Sequence, residues 1–236
     1  KQGVRINLQP EDEAILDRLL QLAHIEVPPL PQNLEAKLRD YQKDGYAWLA
    51  FLYQHRFGAC LADDMGLGKT VQAISILGGI KEGIISSLTS HPAPHLIVLP
   101  PSLLFNWEQE IQKFYPSLRV HLYVGADRST KFEGFDVVLT TYGVVRRDIA
   151  RLESIRFNLI VFDEAQAVKN MYAETTRAVR RLQAAFKMVM TGTPLENHVG
   201  EFFSLIDLCL PGLLGEYDKI KSKVMSATQD SIDMLA

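Results

Sequence analysis

The chain has 236 residues, 47% of them hydrophobic, with 25 Lys and Arg set against 28 Asp and Glu for a net charge of −3. That length and apolar share support a large core in one α/β domain, or one domain plus an appendage, and exclude a disordered or low-complexity chain. They also exclude a uniformly basic body that would bind nucleic acid by bulk charge and, with no apolar run approaching ~18 residues, a membrane-spanning helix. In chain order, Pro10-Glu11-Asp12-Glu13 followed by Ile15, Leu16, Leu19, Leu20 and Leu22 predicts a short appended helix with acids at its favourable end. Val27-Pro28-Pro29-Leu30-Pro31 cannot continue it and predicts a linker. Leu38 to Tyr53 has Leu38, Tyr41, Trp48, Leu49 and Leu52 at helical spacing. Beyond it, predicted strands at Phe57–Ala62, His95–Leu99, Val120–Val124, Asp136–Thr140, Leu159–Phe162 and Lys187–Met190 alternate with helical patterns, and Glu82 to Pro94 reads as a loop. Such alternation predicts a mainly parallel sheet covered on both faces. Cys60 and Cys209 read as buried, reduced core residues, which points to an intracellular setting.

Asp63-Asp64-Met65-Gly66-Leu67-Gly68-Lys69-Thr70 carries the clearest chemistry. Its glycines let backbone N–H groups approach phosphates, Lys69 offers a point charge to the β and γ phosphates, and the Thr70 hydroxyl suits Mg²⁺. The usual first glycine of such a loop is Asp63 here, and a Gly-rich turn before a Lys is also an ordinary way to begin a helix. Phe157–Phe162 then runs as an apolar strand into Asp163-Glu164-Ala165-Gln166. Strand tips of this kind are where open α/β sheets bind ligands. Asp163 can hold Mg²⁺ while Glu164 orients and deprotonates water, although two acids can also be a solvated helix start. Phe186–Met190 leads likewise into Thr191-Gly192-Thr193-Pro194, whose hydroxyls can sense the γ phosphate or the acidic pair.

From Leu38 to about Leu214 these residues resemble the first RecA-like lobe of the Swi/Snf-type ATPases, double-stranded DNA translocases of helicase superfamily two. The resemblance rests on Leu38-Arg39-Asp40-Tyr41-Gln42 with Gly45 and Trp48, the loop from Ala62 to Thr70, Leu99-Pro100-Pro101-Ser102-Leu103-Leu104-Phe105-Asn106-Trp107, Thr140-Thr141-Tyr142, Asp163-Glu164-Ala165-Gln166 with Lys169-Asn170, and Thr191-Gly192-Thr193-Pro194-Leu195-Glu196-Asn197. In this family an acid stands where the first loop glycine is usual, as Asp63 does. Gln166 departs from the His that most members carry. The bacterial branch is expected, and with it a cytoplasmic, nucleoid-associated setting.

The resemblance implies an α/β, three-layer P-loop fold with a helical extension and Pro-rich linker over 1–36, a RecA-like ATP-binding domain over 37–214 and a polar segment over 215–236. It implies ATP and Mg²⁺ as cofactors, held by Gln42 at the adenine, by Asp64, Met65, Gly66, Leu67, Gly68, Lys69 and Thr70 at the phosphates, and by Thr70 and Asp163 at the metal. Lys69, Asp163 and Glu164 would be catalytic. Ser102 as a helix N-cap, Asn106, Thr140, Thr141, Gln166, Lys169, Thr191, Thr193 and Asn197 are expected to contact DNA or a second lobe, with Trp107 structural beneath them. The Arg146-Arg147, Arg151 and Arg156 group reads as a solvated face or a DNA contact. The implied partners are double-stranded DNA, a second RecA-like lobe of the same polypeptide expected beyond Leu214, and a DNA-bound protein target. An RNA-helicase lobe and a non-catalytic module that keeps the fold are the alternatives.

Overall fold

The computed structural model describes residues 25–126, 128–168, 173–192, 199–213 and 215, so the helix expected within residues 1–24 and the segment 216–236 lie outside the described residues. Six strands form one sheet in the order β1-β6-β5-β2-β4-β3. They are β1 (Ala59–Leu61), β2 (His95–Leu99), β3 (Val120–Leu122), β4 (Val137–Thr141), β5 (Arg156–Phe162) and β6 (Gln183–Met190). Every pairing is parallel. In β2 and β4 each residue is buried, because a sheet covered on both faces needs a continuous apolar run rather than an alternating one.

The covering helices are α1 (Asp40–Gln54), α2 (Lys69–Lys81), α3 (Leu104–Phe114), α4 (Tyr142–Leu152), α5 (Glu174–Arg181) and α6 (Val199–Cys209). Ile97 and Leu99 of β2 pack with Tyr46, Ile74 and Trp107 from α1, α2 and α3. Leu96 and Val98, one residue out of phase, pack with Val145, Val179 and Leu208 from α4, α5 and α6. The period of two along a strand thus divides the core between two helical layers.

Local chemistry sets the helix starts. The Gln42 side chain reaches back to accept a 2.9 Å bond from the Arg39 N–H at the N-cap of α1. Thr141 caps α4 by accepting from the Val144 N–H at 3.3 Å. The Pro-rich segment before α1 is fastened to the domain: Tyr46 donates to the Pro29 carbonyl at 3.0 Å, and the Glu82 carboxylate accepts from the Gln32 and Asn33 N–H groups at 2.6 and 2.8 Å.

All six expected strands are present, His95–Leu99 with its expected bounds and the other five with shifted ones. β1 is shorter than Phe57–Ala62 because it is an edge strand whose ladder ends with its pairing to Met188–Met190. β5 and β6 begin earlier than expected because polar Arg156 and Gln183 pair with each other, each strand extending its neighbour. In α1, Tyr41 is exposed and Trp48 only half-buried, whereas Tyr46 and Tyr53 are fully buried.

Candidate active site

The strand tips at the C-terminal edge of the sheet converge. The loop after β1 runs into α2 through Gly66 (φ 82°) and Gly68 (φ 79°), a left-handed conformation that glycine adopts without a Cβ penalty. At Gly68 a Cβ would also run into the Gln42 carboxamide, whereas one at Gly66 would meet only open space. This bare backbone, at the N-terminus of a buried helix, fits a phosphate chain. The Lys69 side chain is buried and donates to the Asp63 and Asp64 carbonyls at 2.7 and 3.1 Å.

Lys69, Thr70, Asp163 and Glu164 line one cavity of about 280 Å³, together with Asn106 and Glu110. A neighbouring cavity of about 510 Å³ is bordered by Arg39, Tyr41 and Gln42 and shares Gly66, Gly68 and Glu110 with the first. Between the two, the Leu67 carbonyl accepts from both Tyr41 Oη and Gln42 Nε2 at 3.0 Å. Gln42 therefore borders the second cavity while holding the glycine-containing loop. Met65 is 74% exposed at the rim. The larger cavity of about 610 Å³, bordered by Arg56, Arg156 and Lys187 near the starts of β5 and β6, contains none of the expected nucleotide-site residues.

Asp163 follows β5 directly and is buried. Oδ1 accepts from the Glu164 N–H at 2.9 Å and Oδ2 from the Trp107 indole Nε1 at 2.7 Å. Burial raises this carboxyl above the usual range, against the lowering effect of those two bonds. The pair is thus no solvated helix start. Glu164 adopts φ 47°, a left-handed conformation costing a non-glycine residue on the order of 1 kcal/mol. Its Oε2 accepts a bond from Gln166 Nε2, and Gln166 Oε1 accepts one from the Thr191 hydroxyl at 2.9 Å. Gln166 thereby bridges the tips of β5 and β6. Thr70 and Asp163 offer a small oxygen donor set, and Mg²⁺ characteristically takes one or two protein ligands and keeps water and phosphate for the rest.

The expected strand-contact residues divide. Ser102 and Asn106 are exposed, and Asn106 also lines the cavity of Lys69 and Asp163. Ser102 caps neither helix, since Pro101 begins the 3₁₀ turn Pro101–Leu103 after Pro100, and α3 starts from Leu103. Thr140 is fully buried, and its hydroxyl donates to the Tyr123 carbonyl at 2.8 Å, so its side chain offers nothing at the surface. Thr141 is consumed as a cap, and Thr191 is buried against Gln166. Lys169, Thr193 and Asn197 lie outside the described residues.

Two further residues belong to the site. Glu110, one helical turn beyond Trp107 on α3, enters both cavities, and burial raises its carboxyl. Tyr142 donates from Oη to the Asp163 carbonyl at 2.8 Å. The i, i+3 spacing of Trp107 and Glu110 is the sequence feature that could have placed Glu110 there.

Residues 41–235 match the SNF2-related domain. YwqA of Bacillus subtilis, named for an ATP-dependent helicase or translocase, is 38% identical over 90% of this chain, which spans 23% of that protein. The TATA-binding protein-associated factor mot1 of Schizosaccharomyces pombe is 36% identical over 89% of the chain and 11% of its own length. Among solved structures, the Sulfolobus solfataricus SWI2/SNF2 ATPase core in complex with double-stranded DNA is 42% identical, with a TM-score of 0.76 over 84% of this chain and 41% of that one. The chain thus covers less than a quarter of either relative.

Proposed function

The chain belongs to the SNF2-related family, and from that premise we propose that it is the ATP-binding lobe of a double-stranded-DNA-dependent ATPase and translocase that remodels protein–DNA complexes. The observation that carries the reading is the meeting of Lys69, Thr70, Asp163 and Glu164 in one cavity at the C-terminal edge of a parallel sheet. In this reading Lys69 leaves the Asp63 and Asp64 carbonyls for the β and γ phosphates, and the α2 N-terminus faces them with its positive dipole end. Thr70 and Asp163 would hold Mg²⁺, which neutralises charge on the transferring phosphoryl group. Glu164 takes the proton from the attacking water. Gln42 and Tyr41 border the base.

In the same reading, exposed Ser102 and Asn106 would contact a DNA strand, as would Lys169, Thr193 and Asn197, which lie outside the described residues. One solved core similar to this chain, that of Sulfolobus solfataricus, is bound to duplex DNA, and this chain covers 41% of it, which supports a lobe that needs a second one for turnover. Arginines from such a lobe are worth roughly 10³ to 10⁵ in rate in related phosphoryl-transfer systems. A cytoplasmic setting belongs to the same proposal, at the nucleoid where the source is bacterial, because the duplex lies there. The test is steady-state hydrolysis by this chain alone and by the chain joined to a second lobe, with and without duplex DNA at low salt. DNA-stimulated turnover is expected only with both lobes; vigorous stimulation of these 236 residues alone would defeat the two-lobe reading.

A further inference from the structure

We infer that Gln72, a residue of α2 outside the phosphate loop, is a positioning residue that keeps the Asp63 carboxylate away from Lys69. This rests on the nucleotide-site reading above. Asp63 stands where a phosphate loop ordinarily has glycine, and its own main-chain carbonyl already holds the Lys69 ammonium at 2.7 Å. A carboxylate free to swing there would pair with Lys69 and repel the phosphates that Lys69 must bind. In the structure it does neither. Its Oδ2 accepts a 3.1 Å bond from Gln72 Nε2, and Asp63 borders a separate cavity with Trp48, Cys60 and Gln72 rather than the one that holds Lys69.

Helix geometry makes this possible. Gln72 lies one turn beyond Gly68, its N–H bonding the Gly68 carbonyl at 3.2 Å, and helical side chains lean back toward the N-terminus, here toward Asp63. Gln72 is fully buried, and its Oε1 has no hydrogen-bond partner among the described residues. An orphaned buried acceptor is costly, so the orientation is held by the bond on the other end of the carboxamide. The reverse orientation would set Oε1 against the carboxylate. Space for that oxygen comes from Gly45 of α1: a Cβ there would lie 3.0 Å from Gln72 Cδ and closer still to Oε1. Glycine in a helix interior otherwise costs about 0.5–1 kcal/mol relative to alanine, a cost that this packing explains.

Binding of Mg·ATP to the 236-residue chain by calorimetry tests the inference, with Lys69→Ala as the control for the site. Gln72→Leu, which keeps bulk and loses the donor, should weaken affinity roughly tenfold, the scale of one bond to a charged group. Adding Asp63→Asn should restore most of it, because the released side chain no longer carries the charge that competes for Lys69. Thermal unfolding without nucleotide supplies an independent reading. Gly45→Ala should lower Tm in the wild-type background and do so much less in Gln72→Ala, where the obstructing carboxamide is gone. Wild-type affinity in Gln72→Leu, no rescue by Asp63→Asn, or additive Tm effects of Gly45→Ala and Gln72→Ala would each overturn the inference while the nucleotide site stands. A wild-type chain binding no better than Lys69→Ala would overturn the site reading and this inference with it.

Discussion

The indole Nε1 of Trp107 donates a 2.7 Å hydrogen bond to Oδ2 of Asp163. Trp107 is buried on α3, and its chain neighbour Asn106 is exposed on the same helix, so one turn carries both an expected strand contact and the group that holds the expected metal ligand. From the sequence Trp107 is expected only to support the surface above it. Its side-chain donor gives it a second task, because a buried carboxylate without its bonds is costly.

Trp107→Phe keeps the ring and removes the donor. Leaving Oδ2 of buried Asp163 unpaired costs about 1–3 kcal/mol, which should appear as a roughly tenfold higher Mg²⁺ concentration for half-maximal ATP binding. Titrating Mg²⁺ at fixed ATP measures this, and an unchanged midpoint would show that Asp163 does not depend on the indole.

At the acidic pair, Glu164→Gln in the protein carrying both lobes should retain ATP and DNA binding and lose turnover, since it removes the base and leaves the metal ligands. Asp163→Asn should instead weaken the Mg²⁺-dependent part of binding. Lys69→Ala should abolish nucleotide binding outright, having removed the buried ammonium at the loop. Normal hydrolysis by the Glu164→Gln protein would rule out its role as general base.

The His95–Leu99 strand was legible to the residue because an uninterrupted apolar run between polar segments has few other uses in a doubly covered sheet. The nucleotide loop and the Asp163-Glu164 pair were legible because their chemistry depends on local order. Thr140 and Thr141 were not separable from a surface pair: both are buried in the doubly covered sheet, and what occupies each hydroxyl depends on its neighbours, the Tyr123 carbonyl for Thr140 and the Val144 N–H for Thr141. Glu110 and Gln72 escaped notice for a related reason. Glu110 reaches from α3 to the N-terminus of α2, a partner distant along the chain, and Gln72 reaches back past the first turn of its own helix to Asp63, a contact that depends on how the loop folds over that turn. The starts of β5 and β6 were missed because Arg156 and Gln183 look like loop residues until the two strands lie side by side.

Gln166 bridges Glu164 and the Thr191 hydroxyl through the two ends of one carboxamide. Gln166→Ala should therefore leave ATP affinity within about twofold, since no Gln166 atom is needed at the phosphates, and reduce DNA-stimulated turnover in the two-lobe protein by roughly tenfold, the scale of one bond near a charged group. Gln166→His, the residue the resemblance leads one to expect, should preserve much of that turnover. Equal stimulation of the Gln166→Ala and wild-type proteins would show that the bridge transmits nothing.

Acid should destabilise the domain in two successive, slightly overlapping windows. Fully buried His95 is held neutral, its pKa lowered from 6.5 to about 4 because burial disfavours the cation more than nearby Asp136 favours it. The unfolded chain therefore binds the extra proton first, and the stability that neutral His95 supports is complete above pH 6.5 and falls as pH drops toward 4, by at most about 1.4 kcal/mol per pH unit. At Glu82, burial works to raise the pKa, but bonds from Tyr115, the Asn33 and Gln32 N–H groups and the Asn33 side chain outweigh it and lower it from 4.5 to about 2. That contribution is complete above pH 4.5 and disappears as pH falls toward 2, releasing the segment that Glu82 fastens ahead of α1. Unfolding measured against pH should show both slopes. His95→Leu should flatten the upper window alone and Glu82→Gln the lower one alone; an unaltered slope between pH 6.5 and 4 in His95→Leu would mean that another group governs the upper window.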